Sequence, residues 1–307
     1  MVNKGYVRTV TGDIPGENLG LTLSHEHLSL NMHPLYPADY VLTDLDIVSH
    51  EMERAKAVGI ASIVDCGTQE HHRDPVFLKA LADKTGMHVI ACTGFYREDL
   101  YIDIAKSGSV NDLAKFMLNE IESGIGDTSI RAGAIGEIDT GAEGVSPLQE
   151  KVFIAAVRVQ REANVAILTH TAEGKGALPQ LDVLLKAGAS PDRVLIGHMD
   201  CIEDPDLHEE IAKRGVFVGF DRVGAQVYQS DEVRARMFAE LVRRGLTDQL
   251  ILSHDVAGLH KFEGRGGQGY AYIMKTFVPM LRENGVDDAT ITRVLKDNPR
   301  RLLAGTG

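Results

Sequence analysis

The sequence predicts an α/β fold: a single (β/α)8 barrel of the TIM type with a short N-terminal β-hairpin. Three observations carry this expectation. Eight short β-branched or small apolar runs recur along the 307 residues, each followed by a helical pattern. The runs are apolar nearly throughout instead of alternating, as parallel strands buried on both faces are. No GxGxxG follows the first run, where an open dinucleotide-binding sheet would carry one.

Taken in order, residues 5–15 (GYVRTVTGDIP) read as a hairpin closing the bottom of the barrel. The predicted strands are GLTLSHEHL (20–28), ASIVDCG (61–67), HVIACTGF (88–95), AGAIGEID (132–139), AILTHT (166–171), RVLIGHMD (193–200), VFVGFD (216–221) and LILSHD (250–255). After the first strand, Leu45, Val48, Met52, Ala55 and Val58 recur at helical spacing, with Thr43 and Asp46 as a capping-box start and Gly59 as a stop. After the fourth, Ser146-Pro147-Leu148-Gln149 supplies an N-cap, a first-turn proline and a capping glutamine. Val152, Ala155, Ala156, Val159 and Ala163 then form an apolar stripe. Asp204-Pro205 opens a helix that ends at Gly215. Further helices fit 110–123, 177–187, 231–244, 270–284 and 287–296, the last leading into NPRRLL. With no linker-like break or low-complexity segment, 1–307 reads as one domain: 1–19 the hairpin segment, 20–307 the barrel.

Composition narrows the function classes. A hydrophobic fraction of 44% with 25% charged residues is the mix of a globular protein with a large core. The net charge of −12 argues against nucleic acid or an anionic membrane as partner, since both need a basic patch. No apolar run reaches the roughly 20 residues of a membrane span, and MVNKGYVRTV lacks the apolar core of a secretory signal. Cys66, Cys92 and Cys201 are isolated and in no CxxC pattern, which fits small core residues in a reducing compartment. The expected location is the cytoplasm.

In such barrels, chemistry sits at the C-terminal ends of the strands. There the predicted strands carry His25 and His27, Glu137, His170, His198 and Asp255. Residues i and i+2 of a strand share a face, so His25 and His27 both point into the mouth while Glu26 points away. Four imidazoles and two carboxylates are too many for one tetrahedral zinc but suit two divalent ions sharing a bridge, zinc first, with manganese, cobalt, iron or nickel also accommodated. Of the other histidines, His33, His71 and His72 are expected on solvent-facing loops and His50 and His208 on solvent-facing helix surfaces. His254 is expected to point away from the cup, and His260 lies in the loop after the eighth strand.

HEH on the first strand, THT on the fifth, IGH on the sixth, LSHD on the eighth and the terminal DNPRRLL resemble the phosphotriesterase family of the amidohydrolase superfamily over nearly the whole chain. The resemblance implies His25, His27 and Asp255 on the more buried metal, and His170 and His198 on the more exposed one. Many members bridge the metals with a carbamylated lysine on the fourth strand. Glu137 here resembles the branch of phosphotriesterase homology proteins, in which a glutamate bridges, and a bulge near Gly136 would bring that shorter side chain closer. Tyr96, in TGFY, resembles the tyrosine that meets substrate in the phosphotriesterase-like lactonases. Arg222, in GFDRVG, resembles their loop arginine, although Val223 stands where an aromatic usually follows.

The resemblance implies a binuclear metal hydrolase in which Asp255, Tyr96 and Arg222 serve catalysis. The expected activity is that of a lactonase with promiscuous phosphotriesterase activity, acting on small ester, lactone or phosphotriester substrates. The alternatives are an amidohydrolase of a small N-acyl compound and, in another class, a ligand-binding protein without turnover. Relatives are often dimers, so a homodimer is a further expectation.

Overall fold

The computed structural model describes residues 1–305. Eight strands form one sheet in chain order: Leu21–Glu26, Ile60–Asp65, His88–Thr93, Ala134–Thr140, Ala166–Thr171, Val194–Ile196, Phe217–Phe220 and Leu250–Leu252. They are called barrel strands 1 to 8 below. Every neighbouring pair is parallel. The sheet closes between strands 1 and 8. There the Asp255 N–H donates to the His25 carbonyl at 3.1 Å, and the His25 N–H donates to Ser253 Oγ at 3.0 Å.

The Glu26 carboxylate completes this seam. It accepts from Ser253 Oγ at 2.7 Å, the His254 N–H at 2.8 Å, His254 Nδ1 at 2.8 Å and the Val256 N–H at 2.9 Å. His254 Nε2 in turn accepts from the Ile273 N–H at 3.0 Å. Both side chains are fully buried. Their pointing away from the mouth follows from strand alternation; that they meet each other is set by the closure.

Tyr6–Thr9 and Gly12–Pro15 pair antiparallel as the expected hairpin. Val7 packs with Leu19, Leu302 and Leu303 in one buried cluster with Val64, Ile90, Leu168, Leu195, Phe217 and Ile251, so the barrel floor is an apolar plug. The helix Leu45–Ala57 is capped by Asp44 and not Thr43: its carboxylate accepts from the N–H groups of Asp46 and Ile47, both at 3.0 Å. Ser146 and Gln149 form the expected reciprocal box at the head of Pro147–Ala163. The helix that completes the second unit, Pro75–Thr85, is started by Asp74-Pro75 and stopped by Gly86 at φ 68°.

Two predicted helices are interrupted. Residues 270–284 hold a π-helical turn, Ile273–Phe277, before Val278–Glu283. Residues 287–296 hold Asp288–Thr292 and a second π turn, Arg293–Asp297, before Asn298–Ala304. Pro279 and Pro299 follow these turns; each lacks the N–H of the regular ladder, and a wider turn keeps the ring clear of the carbonyl behind it. No helix among the described residues is long and apolar enough to cross a membrane.

Strands 6, 7 and 8 end earlier than predicted. Beyond them His198 and Asp255 adopt left-handed backbone, φ 60° and 53°. Such conformations cost of order 1–3 kcal/mol for non-glycine residues and persist where the surroundings hold them. Here they turn two key side chains back over the barrel mouth.

Candidate metal centre

The six residues expected as ligands converge at the C-terminal mouth, all buried. Glu137 lies at their centre. Its Oε2 is 3.1 Å from His25 Nε2, 2.9 Å from His170 Nδ1 and 3.7 Å from His198 Nε2. Its Oε1 is 3.3 Å from His27 Nε2, which lies 3.3 Å from Asp255 Oδ1. His198 Nε2 and His170 Nδ1 face each other at 3.0 Å.

Asp221 decides what these nitrogens carry. It is fully buried, and its two oxygens lie 2.9 Å from His25 Nδ1 and 2.9 Å from His198 Nδ1. Burial opposes its ionisation, but the charges and hydrogen bonds of His198 and His25 outweigh that and hold it well below the usual carboxylate range. An ionised carboxylate only accepts, so both Nδ1 atoms bear protons and both Nε2 atoms are turned towards Glu137. The Glu137 oxygen they face is itself an acceptor. Nothing but protons or cations between them makes this arrangement favourable. The donor set therefore fits metal, with Asp221 orienting two imidazoles from behind.

Among the described residues, His25–His27–Asp255 and Glu137–His170–His198 are two of the four groups of donors whose atoms lie within 4.8 Å of one another; His25–His198–Asp221 and His27–His71–Glu137 are the others. Glu137 lies among these donors, Oε1 near His27 and Oε2 near His25, His170 and His198, so the buried clusters suit a binuclear metal site. Burial disfavours the ionised form of Glu137, yet the charge of His170 and hydrogen bonds from His170, His198 and His25 hold it well below its ordinary range.

The close approach of Glu137 has a backbone cause. The pairing register of strands 4 and 5 slips between Ile135 and Ile138. Gly136 sits at the slip with φ 141°, and a Cβ there would lie 2.4 Å from the Leu168 carbonyl oxygen. Only glycine fits, and the irregularity expected near Gly136 is present.

Tyr96 and Arg222 line the mouth of a cavity of about 510 Å³, together with His27, Glu137, His170 and Asp255. Arg222 Nε is 3.2 Å from Asp255 Oδ2, so its ion-pair partner is Asp255 and not its neighbour Asp221. Tyr228 covers the guanidinium, with its ring centroid 4.2 Å from Arg222 Cζ. Val223 is buried outside the cavity, so Tyr228 supplies an aromatic wall from farther along the same loop. Burial, then the charges of Glu137 and Asp255, push the Tyr96 phenol well above its ordinary range and keep it a donor.

His71 corrects the sequence reading. It is 3% exposed and lines the cavity, its ring centroid 4.3 Å from that of Tyr96 and 5.1 Å from that of His27. Its Nδ1 accepts from the Thr68 N–H at 3.1 Å, so Nε2 carries the proton and points towards Glu137 Oε1, 3.7 Å away. Burial, then the neighbouring His27, lower its pKa to about 3, leaving a neutral donor. The available signal was position: the short turn Gln69–His71 directly follows barrel strand 2. His208 is also buried and not solvent-facing; its Nε2 donates to the Met199 carbonyl at 2.7 Å. His33, His50 and His72 are exposed as expected, and His260 is exposed at the cavity rim.

The model of the Phosphotriesterase family matches residues 5–303. The chain belongs to the phosphotriesterase family. Among the relatives of this family member, the phosphotriesterase homology protein of Escherichia coli strain K12 is 34% identical over 285 residues, covering 92% of this chain and 98% of its own. The N-acetyltaurine hydrolase of Salmo salar is 28% identical, covering 97% of this chain and 98% of its own. Among solved structures, a lactonase from Listeria monocytogenes superposes with a TM-score of 0.92 at 28% identity, covering 98% of this chain and all 100% of its own.

Proposed function

We propose that this protein is a binuclear metal hydrolase of lactones with weak phosphotriesterase activity. His25, His27 and Asp255 would hold one ion and His170 and His198 the other, with Glu137 shared between them. The observation that carries the reading is the convergence of imidazole nitrogens on Glu137 at the foot of an open cavity. Zinc suits this set first, and manganese, cobalt, iron and nickel share its preferences. Two divalent ions held there would supply Lewis acidity and a hydroxide nucleophile at neutral pH.

The chain's own groups do the rest. The Asp255 carboxylate takes the proton released on attack and returns it to the leaving group. Arg222 holds Asp255 Oδ2, which leaves Oδ1 turned towards His27 and the reaction centre. The Tyr96 hydroxyl and the His71 Nε2–H are donors placed to stabilise negative charge developing on the substrate oxygen. Arg222 and Tyr228 wall the cavity where the rest of the substrate sits.

Hydrolysis of a small N-acyl compound is the second reading, favoured by the full-length similarity to the N-acetyltaurine hydrolases. A panel of lactones, N-acetyl amines and phosphotriesters, assayed with metal-loaded protein, separates them. Lactones turning over fastest, by about tenfold in kcat/KM (~1.4 kcal/mol), is the expected result. Fastest turnover of amides would move the assignment to the second reading, and no hydrolysis of any member would overturn both.

A further inference from the structure

We infer that Asp221 ties the two metal positions together: its single carboxylate fixes one imidazole of each, His25 and His198, and the position built on His25 depends on its charge the more. The inference rests on the two-metal reading above and adds to it a positioning residue that both positions share.

The two oxygens divide their partners unequally. Oδ1 accepts twice from His198, from the backbone N–H at 2.7 Å and from Nδ1 at 2.9 Å. Oδ2 has one hydrogen-bond partner among the described residues, His25 Nδ1 at 2.9 Å. All three side chains are fully buried, so water does not replace a lost bond. The opposite ring nitrogens face Glu137 Oε2, His25 Nε2 at 3.1 Å and His198 Nε2 at 3.7 Å. An imidazole that takes an ion through Nε2 keeps its proton on Nδ1, and Asp221 is the acceptor that favours this form in both rings. Glycines on strand 7 and just beyond strand 6 make the room. A Cβ on Gly219 would lie 2.6 Å from Asp221 Oδ2, and one on Gly197 would lie 3.2 Å from it. The carboxylate lies in a slot that a side chain at either position would narrow.

An amide in the same place separates the two roles. Asparagine offers one accepting oxygen and one donating nitrogen. The His198 backbone N–H is a donor in every protonation state, and with the Nδ1 proton it draws the amide oxygen to the Oδ1 place. The amide nitrogen then stands at the Oδ2 place, donor against donor with His25 Nδ1–H. His25 relieves this by carrying its proton on Nε2, which takes up the lone pair an ion needs. His198 keeps both of its bonds. Removing the charge alone therefore strikes the His25 position and spares the other.

The test is elemental analysis of the full chain, reconstituted with zinc and dialysed against a weak chelator, with circular dichroism as the folding control. The parent is expected to keep about two equivalents per chain. Asp221→Asn is expected to keep about one, its affinity for the other lowered about 10–100-fold. Adding His170→Ala to Asp221→Asn should remove the remaining ion, which places that ion on the His170–His198 side. In Asp221→Ala both imidazoles lose their acceptor, and both ions are expected to be held more weakly. A second readout leaves Asp221 in place: in the zinc-loaded parent with isotope-labelled histidine, nuclear magnetic resonance should find the Nδ1 protons of both His25 and His198 protected from solvent exchange. A folded Asp221→Asn protein that keeps both ions or neither, a double variant that still keeps one, or an Nδ1 proton missing from either histidine would overturn the inference and leave the two-metal reading standing. A parent that keeps fewer than two would overturn that reading and the inference with it.

Discussion

Asp255→Asn is expected to lower kcat by about 10²–10⁴-fold, the usual worth of a positioned proton-transfer group. Asparagine tolerates the left-handed backbone that Asp255 occupies at φ 53°, so the loss reports chemistry and not a misplaced loop. Three effects coincide at this position. The carboxylate lies 3.3 Å from His27 Nε2 and belongs to the His25–His27 donor group. It is the partner of Arg222, and its loss leaves that buried guanidinium without a carboxylate. It is also the group assigned to accept the released proton. Burial alone would raise its pKa; the charge of Lys261, the hydrogen bond from His27 and the charge of Arg222 outweigh this and hold it well below the ordinary range. The base is therefore ionised throughout the neutral range. Steady-state kinetics with circular dichroism as the folding control checks this, and an activity within threefold of the parent would remove Asp255 from the mechanism.

Glu26→Ala is expected to destabilise the protein by about 3–5 kcal/mol, and to lower Tm by on the order of 10 °C. Glu26 sits between the two motif histidines yet faces away from them. Its carboxylate takes four hydrogen bonds from residues 253, 254 and 256, all fully buried. Alanine would leave two N–H groups, an imidazole N–H and a hydroxyl without partners at the place where strands 1 and 8 meet. Each unsatisfied buried donor costs about 1–3 kcal/mol. Because Asp255 follows this seam directly, activity should fall as well. Denaturant unfolding of the metal-loaded protein checks the value, and a loss below about 1 kcal/mol would mean that the barrel closes by other contacts.

Most of the barrel was legible because buried parallel strands leave continuous apolar runs, and the six converging side chains were legible because their positions follow from strand ends. His25 and His27 illustrate this: alternation alone aims both at the mouth, and the structure finds both at Glu137. What was not legible depends on contacts between distant strands. Asp221 reads only as the residue before Arg222, but in the folded barrel it lies behind His25 and His198, which come from strands distant in the chain. His71 reads as a loop residue, but the turn after strand 2 folds inward, and the Thr68 N–H fixes its tautomer. Nor does the sequence show that Gly267 and Gly269 return against the Lys261–Phe262 main chain, to which their N–H groups donate. The π turns before Pro279 and Pro299 were hidden because an apolar stripe drifts only slightly across one wide turn.

The central claim is that Glu137 and its histidines hold two metal ions. The most direct measurement is elemental analysis of protein purified and reconstituted with zinc or manganese, the parent beside Glu137→Gln. About two equivalents per chain in the parent, and markedly fewer in the variant, is the predicted result. A parent that binds one equivalent or none, or a Glu137→Gln protein that retains two, would contradict the account.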